Sequence, residues 1–288
     1  MNSGAQAALL PDGRRLHLHH GPIDIIAEAF GGADEVRLAY QQAARRFETI
    51  LAPLVDELSL LRAPIGEPRP LPKGPVARRM VAAVWPHRAV FITPMAAVAG
   101  AVADEILASM IAGRCMSKAY VNNGGDIALY LTRSEMLRAG VVNSQGRAAI
   151  DARVELKASM PVRGLATSGW RGRSFSLGIA DAVTVLARDA AAADAAATVI
   201  ANAVNVEHES IARRPANQMR DDTDLGDRLV TIDVGILPGE LVARALDAGA
   251  AQASRLRLLG LLEGAYLALQ GDGRVAPPEI SLSQRRSG

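Results

Sequence analysis

Three short stretches carry residue types and spacings suited to chemistry. In DAAAT, residues 194–198, a carboxylate and a hydroxyl stand four residues apart in a run otherwise made of alanine. On a helix, positions i and i+4 share a face, so Asp194 and Thr198 can offer two hard oxygens to one cation, Mg²⁺ being the usual choice. The same spacing also fits a structural role, with Asp194 favoured by the helix dipole and Thr198 bonding back to a backbone carbonyl. In YVNNGGDI, residues 120–127, Gly124 and Gly125 separate β-like runs, with Asn122, Asn123 and Asp126 around them. Paired glycines let a ligand approach exposed N–H groups, and Asn-Gly is equally a hairpin signal. The third stretch, GLATSGWRGRSFSLG, residues 164–178, sets Thr167, Ser168, Gly169, Arg171 and Arg173 among further glycines. Hydroxyls, backbone donors and arginines suit a phosphate-bearing ligand. The segment lacks the Gly-Lys-Ser/Thr of a P-loop and reads otherwise as a surface loop.

Other groups weigh less. His17 and His19 share a strand face and His20 points away, with no carboxylate or cysteine beside them in sequence to complete a zinc site. The single cysteine, Cys115, follows an apolar helix and is expected to be a buried small hydrophobe. One cysteine excludes an internal disulfide or a four-cysteine zinc site. No histidine is placed to serve a serine or the cysteine, so no nucleophilic triad is read and no catalytic residue is assigned.

The elements that must position these residues follow from periodicity. LHLHHGPIDIIAEA (16–29) predicts a strand or hairpin, and ADEVRLAYQQAARRFETILAPLVDELSLL (33–61) a helix broken near Pro53. Five prolines make 62–75 a loop. VARRMVAAVW predicts a helix, AVFIT (89–93) a strand, and MAAVAGAVADEILASMIAG (95–113) a buried helix. Residues 119–131 predict strand, Gly-Gly turn and strand. Further strands are expected at 152–158, 174–178, 182–187 and 228–238, and a long helix or helix pair at 240–269. The mixture lacks a regular βαβ rhythm and predicts an α+β fold. The expected division is a disordered start (1–15), one domain (16–275) and a mobile tail (276–288).

Hydrophobic residues make up 49% of the chain and aromatics 3%, so the core must rest on Ala, Val, Leu and Ile. A formal charge of +2 gives no field for nucleic acid. The longest apolar run is interrupted by Pro94 and by Asp104-Glu105, so no membrane span is expected. The N-terminus lacks the character of a secretory signal. A cytoplasmic protein is the expectation, and the small-residue helices are also compatible with a homodimer.

Taken in order, the segments resemble the ApbE-type superfamily, whose best-known members are FAD:protein FMN transferases. AVAGAVAD (97–104) is similar to that family's Lys-Gly-Tyr-Ala-Val-Asp segment, YVNNGGDI (120–127) to its Asn-x-Gly-Gly-Asp turn, LATSG (165–169) to its Ala-Thr-Ser-Gly stretch, and VTVLARDAAAADAAAT (183–198) to its Val-Thr-Val…Ala-Asp-Ala-x-x-Thr helix. The resemblance runs from about Thr93 to Asn205. It implies sheet and helix layers of the T-fold type, Mg²⁺, FAD or FMN as ligand or substrate, and an acceptor protein. It assigns Asp194 and Thr198 to the metal and Asn123, Gly124, Gly125 and Asp126 to the nucleotide. Thr167, Ser168 and Gly169 would contact the ligand or hold its pocket. This chain departs at Ala99, where the transferases carry lysine, and at WRGRSFSLGIADA, which stands where they carry a histidine-bearing segment. Arg171 or Arg173 are the cations at hand to replace that lysine. The resemblance implies an Mg²⁺-dependent transferase or FAD pyrophosphatase; the departures suit a module that holds its ligand without turnover, or a scaffold that kept the fold alone.

Overall fold

The computed structural model describes residues 4–141, 152–276 and 283–284. In chain order the elements are β1 (Gln6–Leu9), β2 (Leu16–His20), β3 (Ile23–Gly31), α1 (Ala33–Phe47), α2 (Leu51–Asp56), α3 (Leu58–Arg62), α4 (Pro75–Val84), α5 (Val98–Ile111), β4 (Met116–Asn123), β5 (Asp126–Leu131), β6 (Met136–Val141), β7 (Ala152–Lys157), β8 (Gly164–Ser168), β9 (Ala182–Ala187), α6 (Ala190–Ala203), β10 (Ile211–Pro215), α7 (Ala216–Met219), β11 (Leu229–Val234), α8 (Gly239–Leu258), β12 (Gly264–Leu269) and β13 (Asp272–Ala276). Contacts group the chain into two compact units. One holds residues 1–137, 157–166 and 187–195; the other holds 138–156, 167–186 and 196–288.

The first unit contains an antiparallel meander, β1 to β5 in sequence order, with β8 entering antiparallel to β5 through Leu165 opposite Ile127. β3 shows why it forms: Ile23, Ile25, Ala27 and Ala29 are buried on one face, and the residues between them are more exposed. α1 buries Ala39, Tyr40, Ala43 and Phe47, a single helical stripe. α5 buries Gly100, Ala101, Val102, Ala103, Ile106, Leu107 and Met110. Its small residues allow close approach, and it lies against β4, β5, α1 and α4.

In the second unit β12 pairs antiparallel with both β9 and β13, and α8 lies against β12 and β13. All six residues of β9 and all six of β12 are buried, which is why AVTVLA and GAYLAL read as continuous apolar runs. β10 and β11 form a separate ribbon.

Several expectations need correction. Residues 6–9 of the expected disordered start form β1, held by β2 and by an Asx turn in which Asp12 Oδ1 accepts the N–H groups of Arg14 (2.9 Å) and Arg15 (3.0 Å). AVFIT is not a strand; its Ile92 carbonyl instead accepts the Ile65 N–H at 2.8 Å, pinning the proline-rich loop. SFSLG, 174–178, is irregular, because Asn202 Oδ1 and Ser176 Oγ accept the Leu177 and Gly178 N–H groups that a ladder would use. The expected helix over 240–269 stops at Leu258, and Gly264–Leu269 is the strand β12: Gly260, at φ +70°, breaks the helix, and the apolar run beyond it pairs with β9. Cys115 is exposed, not buried; it lies in the turn after Gly113 (φ +67°), where Glu35 Oε2 accepts its backbone N–H at 2.8 Å. Apart from Ala276 and residues 283–284, the expected mobile tail lies outside the described residues.

One stretch among the described residues, Pro94–Ile111, is long and apolar enough by composition to cross a membrane; half of it is buried inside the fold. Its two acids are both engaged, Asp104 by backbone N–H groups and Glu105 by Arg46 (2.9 Å) and Arg79 (3.0 Å).

Candidate active site

The site begins at the β4–β5 hairpin. Asn123 stands opposite Asp126, so Gly124 and Gly125 alone make the turn, at φ +67° and +115°. Asn122 Oδ1 accepts the Gly125 N–H at 2.8 Å. Asn123 is buried and donates from Nδ2 to the Ala99 carbonyl at 3.1 Å, tying the hairpin tip to the start of α5. Asp126 is buried beside it. The φ of Gly125 lies where side chains are rarely accommodated, so Gly125→Ala is expected to cost about 1–3 kcal/mol, read as a lower urea midpoint at unchanged slope.

α5 and α6 meet through an exchange of carboxylates. The first N–H groups of a helix lack partners within it. Those of α6 are met from outside: Asp104 Oδ1 accepts from Ala190 (3.0 Å), Asp104 Oδ2 from Ala191 (2.9 Å), and Asp189 Oδ1 from Ala192 (2.7 Å). In return, Asp194 Oδ2 accepts the Gly100 N–H at 3.0 Å. Gly100 permits this approach, since a Cβ there would fall 2.3 Å from the Ala190 carbonyl oxygen.

Burial, and next the charge of Asp126, push the Asp194 carboxyl well above the usual carboxylate range, against the pull of the Gly100 and Ala99 N–H groups. Burial likewise raises Asp104 to about 6, although the N–H groups of Ala191 and Ala190 oppose it. Both shifts have the same sign for stability. A carboxyl that titrates higher in the folded chain holds its proton after the unfolded chain has released it, so stability falls as pH rises through that window. For Asp104 the window runs from 3.8 to about 6. Thermal melts of the metal-free chain should therefore lose less stability between those pH values in Asp104→Asn than in the unsubstituted protein. Parallel profiles would rule the assignment out.

Along α6 from Ala190 to Ala201, only Asp194 and Thr198 are partly accessible; every other residue is buried. The paired oxygens read from the sequence are thus the two half-buried positions on this stretch. Carboxylate and hydroxyl oxygens are hard donors suited to Mg²⁺, and a dication would relieve the repulsion between Asp194 and Asp126. The donor set fits the metal that the resemblance implies. Among the described residues no group of three or more His, Cys, Asp or Glu could hold a metal ion, so a cation here would need hydroxyl, carbonyl or ligand oxygens as well. The histidines are placed otherwise. His17 Nε2 and His19 Nδ1 both lean on Asp24, at 3.2 and 3.4 Å, and His20 meets the Phe47 ring edge-on.

The remaining predicted residues lie in the second unit. Thr167 Oγ1 and Thr184 Oγ1 are 2.9 Å apart. Gly169 is buried where a Cβ would come within 2.4 Å of the Asp181 carbonyl oxygen. Asp181 organises this loop: its Oδ1 accepts from Trp170 Nε1 (3.2 Å) and Arg171 Nε (3.1 Å), and its Oδ2 accepts from Gln270 N (2.6 Å). Arg171 also stacks on Trp170, 4.3 Å from the ring centroid. Ser168 is half-buried and Arg173 exposed. The first unit therefore gathers Asn123, Gly124, Gly125, Asp126 and Asp194 about the start of α5; Thr167, Ser168, Gly169, Arg171 and Arg173 belong to the second unit, as does Thr198, one helical turn along α6. The roles of Asp104, Asp181 and Asp189 were missed. Asp104 carried a signal, since a carboxylate inside an apolar helix must find donors, but spacing could not say which.

Ordered segments, hairpin, cross-bonded helices and α+β layout together define a class of protein, and comparison with known families confirms it. The family model described as AbpE bacteria matches residues 7–275, and the chain belongs to that family. Relatives named UPF0280 protein are 38% identical over 137 residues in Methanococcoides burtonii (47% of this chain, 55% of the relative), 34% over 146 residues in Methanospirillum hungatei (50% and 57%) and 35% over 170 residues in Methanothermobacter thermautotrophicus (59% and 64%). The chain thus spans roughly 55–64% of the length of these relatives. Among solved structures, the apo form of the Pseudomonas stutzeri flavinyl transferase ApbE aligns over 97% of this chain and 93% of its own, at a TM-score of 0.43 and 12% identity.

Proposed function

We propose that the chain binds a flavin nucleotide, FAD or FMN, together with Mg²⁺. Asp194 and Thr198 are the protein ligands to the metal, and the Asn123–Asp126 turn holds the nucleotide. Thr167, Ser168, Gly169, Arg171 and Arg173 of the second unit are the further proposed ligand contacts. The observation that carries the reading is Asp194, a carboxylate raised by burial and by Asp126 and, with Thr198, only half-buried on a helix stretch that is otherwise buried. When bound, Mg²⁺ would neutralise charge on the nucleotide's phosphates. The chain's own groups supply the rest: the turn offers close backbone approach through Gly124 and Gly125, and Asn123 fixes the turn to α5.

Calorimetric titration with FAD, FMN and ADP, with and without Mg²⁺, tests the reading. Binding of a flavin nucleotide that tightens at least about tenfold with Mg²⁺ is expected, a coupling of about 1.4 kcal/mol. No binding of any of the three under either condition would overturn it. Turnover is a separate matter. Ala99 stands where the transferases carry lysine, and Arg171 is engaged by Asp181, which favours a second reading as a module that holds the nucleotide uncleaved. Incubation with FAD and Mg²⁺, followed by chromatography, decides between them: release of FMN and AMP, or FMN attached to an acceptor protein, marks the enzyme, and intact FAD marks the binding module.

A further inference from the structure

We infer that Asp104 is a positioning residue for the metal arm: by gripping the start of α6 it sets where Asp194 presents its carboxylate. This rests on the reading of Asp194 as a metal ligand. The geometry is reciprocal. On α5, Gly100 and Asp104 are one turn apart; on α6, Ala190 and Asp194 are one turn apart. Asp104 takes the Ala190 and Ala191 N–H groups with its two oxygens, while Asp194 takes the Gly100 N–H with one of its own. Each helix thus caps the other, at a contact so close that a Cβ on Gly100 would overlap the Ala190 backbone.

The exchange has a directional consequence. Two bonds from one carboxylate to consecutive N–H groups fix both the height and the rotation of the helix start. Asp194 is four residues beyond Ala190, so that rotation decides which way its side chain leaves α6. The Gly100 N–H engages Oδ2 and the Ala99 N–H is held by the same carboxylate, whose remaining lone pairs are the acceptor sites for a cation near Asp126. Asp189 offers a contrast on the same helix start. Its carboxylate accepts the Ala192 N–H with Oδ1 and the Arg188 Nε–H with Oδ2, both from its own chain segment. Removing it weakens the same end of α6 without releasing the cross-helix grip. A carboxylate as buried as Asp104 carries a desolvation cost, and the grip on Ala190 and Ala191 gives that carboxylate a purpose its neighbours Ala103 and Ile106 could not serve.

The test compares Asp104→Ala, Asp104→Asn and Asp189→Ala in the full chain. Amide hydrogen exchange at Ala190, Ala191 and Gly100 is read first, and then affinity for Mg²⁺ alone by calorimetry. In Asp104→Ala, protection at Gly100 should fall although Asp104 does not bond to it. Mg²⁺ affinity should fall about 10- to 100-fold, the range for partners that orient a ligand. Asp104→Asn keeps one acceptor, should fold where the alanine variant does not, and should lie between. Asp189→Ala should deprotect Ala192 and leave Gly100 and Mg²⁺ affinity unchanged. Unchanged Gly100 protection in both Asp104 variants would overturn the inference, as would an equal loss of Mg²⁺ affinity in Asp189→Ala. If the unsubstituted chain binds no Mg²⁺ while Gly100 protection still depends on Asp104, the metal reading fails and the positioning role stands.

Discussion

Asp194→Asn is expected to abolish Mg²⁺ binding and, at neutral pH, to raise the melting temperature of the metal-free chain. The two effects have one cause. Asp194 is held beside Asp126 in a poorly hydrated place, and both burial and that neighbour oppose its charge. Each unit by which a carboxyl is displaced upward costs the folded state about 1.4 kcal/mol once the unfolded chain has ionised. Asparagine removes the charge and retains a carbonyl oxygen for the Gly100 N–H, so the α5 cap survives while the repulsion disappears. A gain of a few degrees follows, on the scale of about 2–4 °C per kcal/mol for chains of this order of size. Metal affinity should drop more than about a hundredfold, since an anionic ligand is worth more than the outer partners that orient one. Calorimetry with Mg²⁺ and melts in chelator measure both. An Asn variant that binds Mg²⁺ normally removes Asp194 from the metal site; one that is less stable without metal contradicts the electrostatic account.

Gly164→Ala should produce the largest loss of stability. A Cβ at Gly164 would stand 2.0 Å from the Asp189 carbonyl carbon, 2.1 Å from its oxygen and 2.2 Å from the Ala190 nitrogen. All three are backbone atoms at the start of α6, so no side chain can swing aside. β8 and the α6 start must separate, and overpacking of this kind costs about 3 kcal/mol or more, on the order of 6–12 °C in melting temperature. Because the α6 start also carries the Asp104 bonds, Mg²⁺ affinity should weaken in the same variant. Gly66→Ala is the control: nothing lies within 4 Å of its Cβ position, and the melt should not move. A Gly164→Ala protein that melts with the unsubstituted chain would show that the two backbones are not so close.

Much of the local structure was legible in the residues. Asn-Gly-Gly-Asp announced a tight turn between strands, and positive φ at both glycines is what makes that turn possible. Alternation in IDIIAEAF and the apolar stripe of α1 were read from periods of two and 3.6. The failures have a common source. GAYLAL was assigned to a helix because six buried residues show no period, and only pairing with β9 and β13 makes them a strand. AVFIT shows the converse: β-branched and apolar, it finds no partner ladder and serves as an anchor for the loop before α4.

The sequence by itself determined which residues could do chemistry and in what order they come: Asn123 to Asp126, Thr167 to Gly169, Asp194 with Thr198. Residue type and spacing are local properties, and helical or strand period carries them directly. Only the tertiary structure decided what each oxygen faces. It brought Asp126 to Asp194, set Asp104 across from Ala190, and engaged Arg171 with Asp181. Asp104 and Ala190 are 86 residues apart in the chain, and even Arg171 and Asp181 are 10 apart. The grip on the start of α6 depends on backbones approaching closely at Gly100 and Gly164, a property that a glycine permits and that only the packed fold imposes.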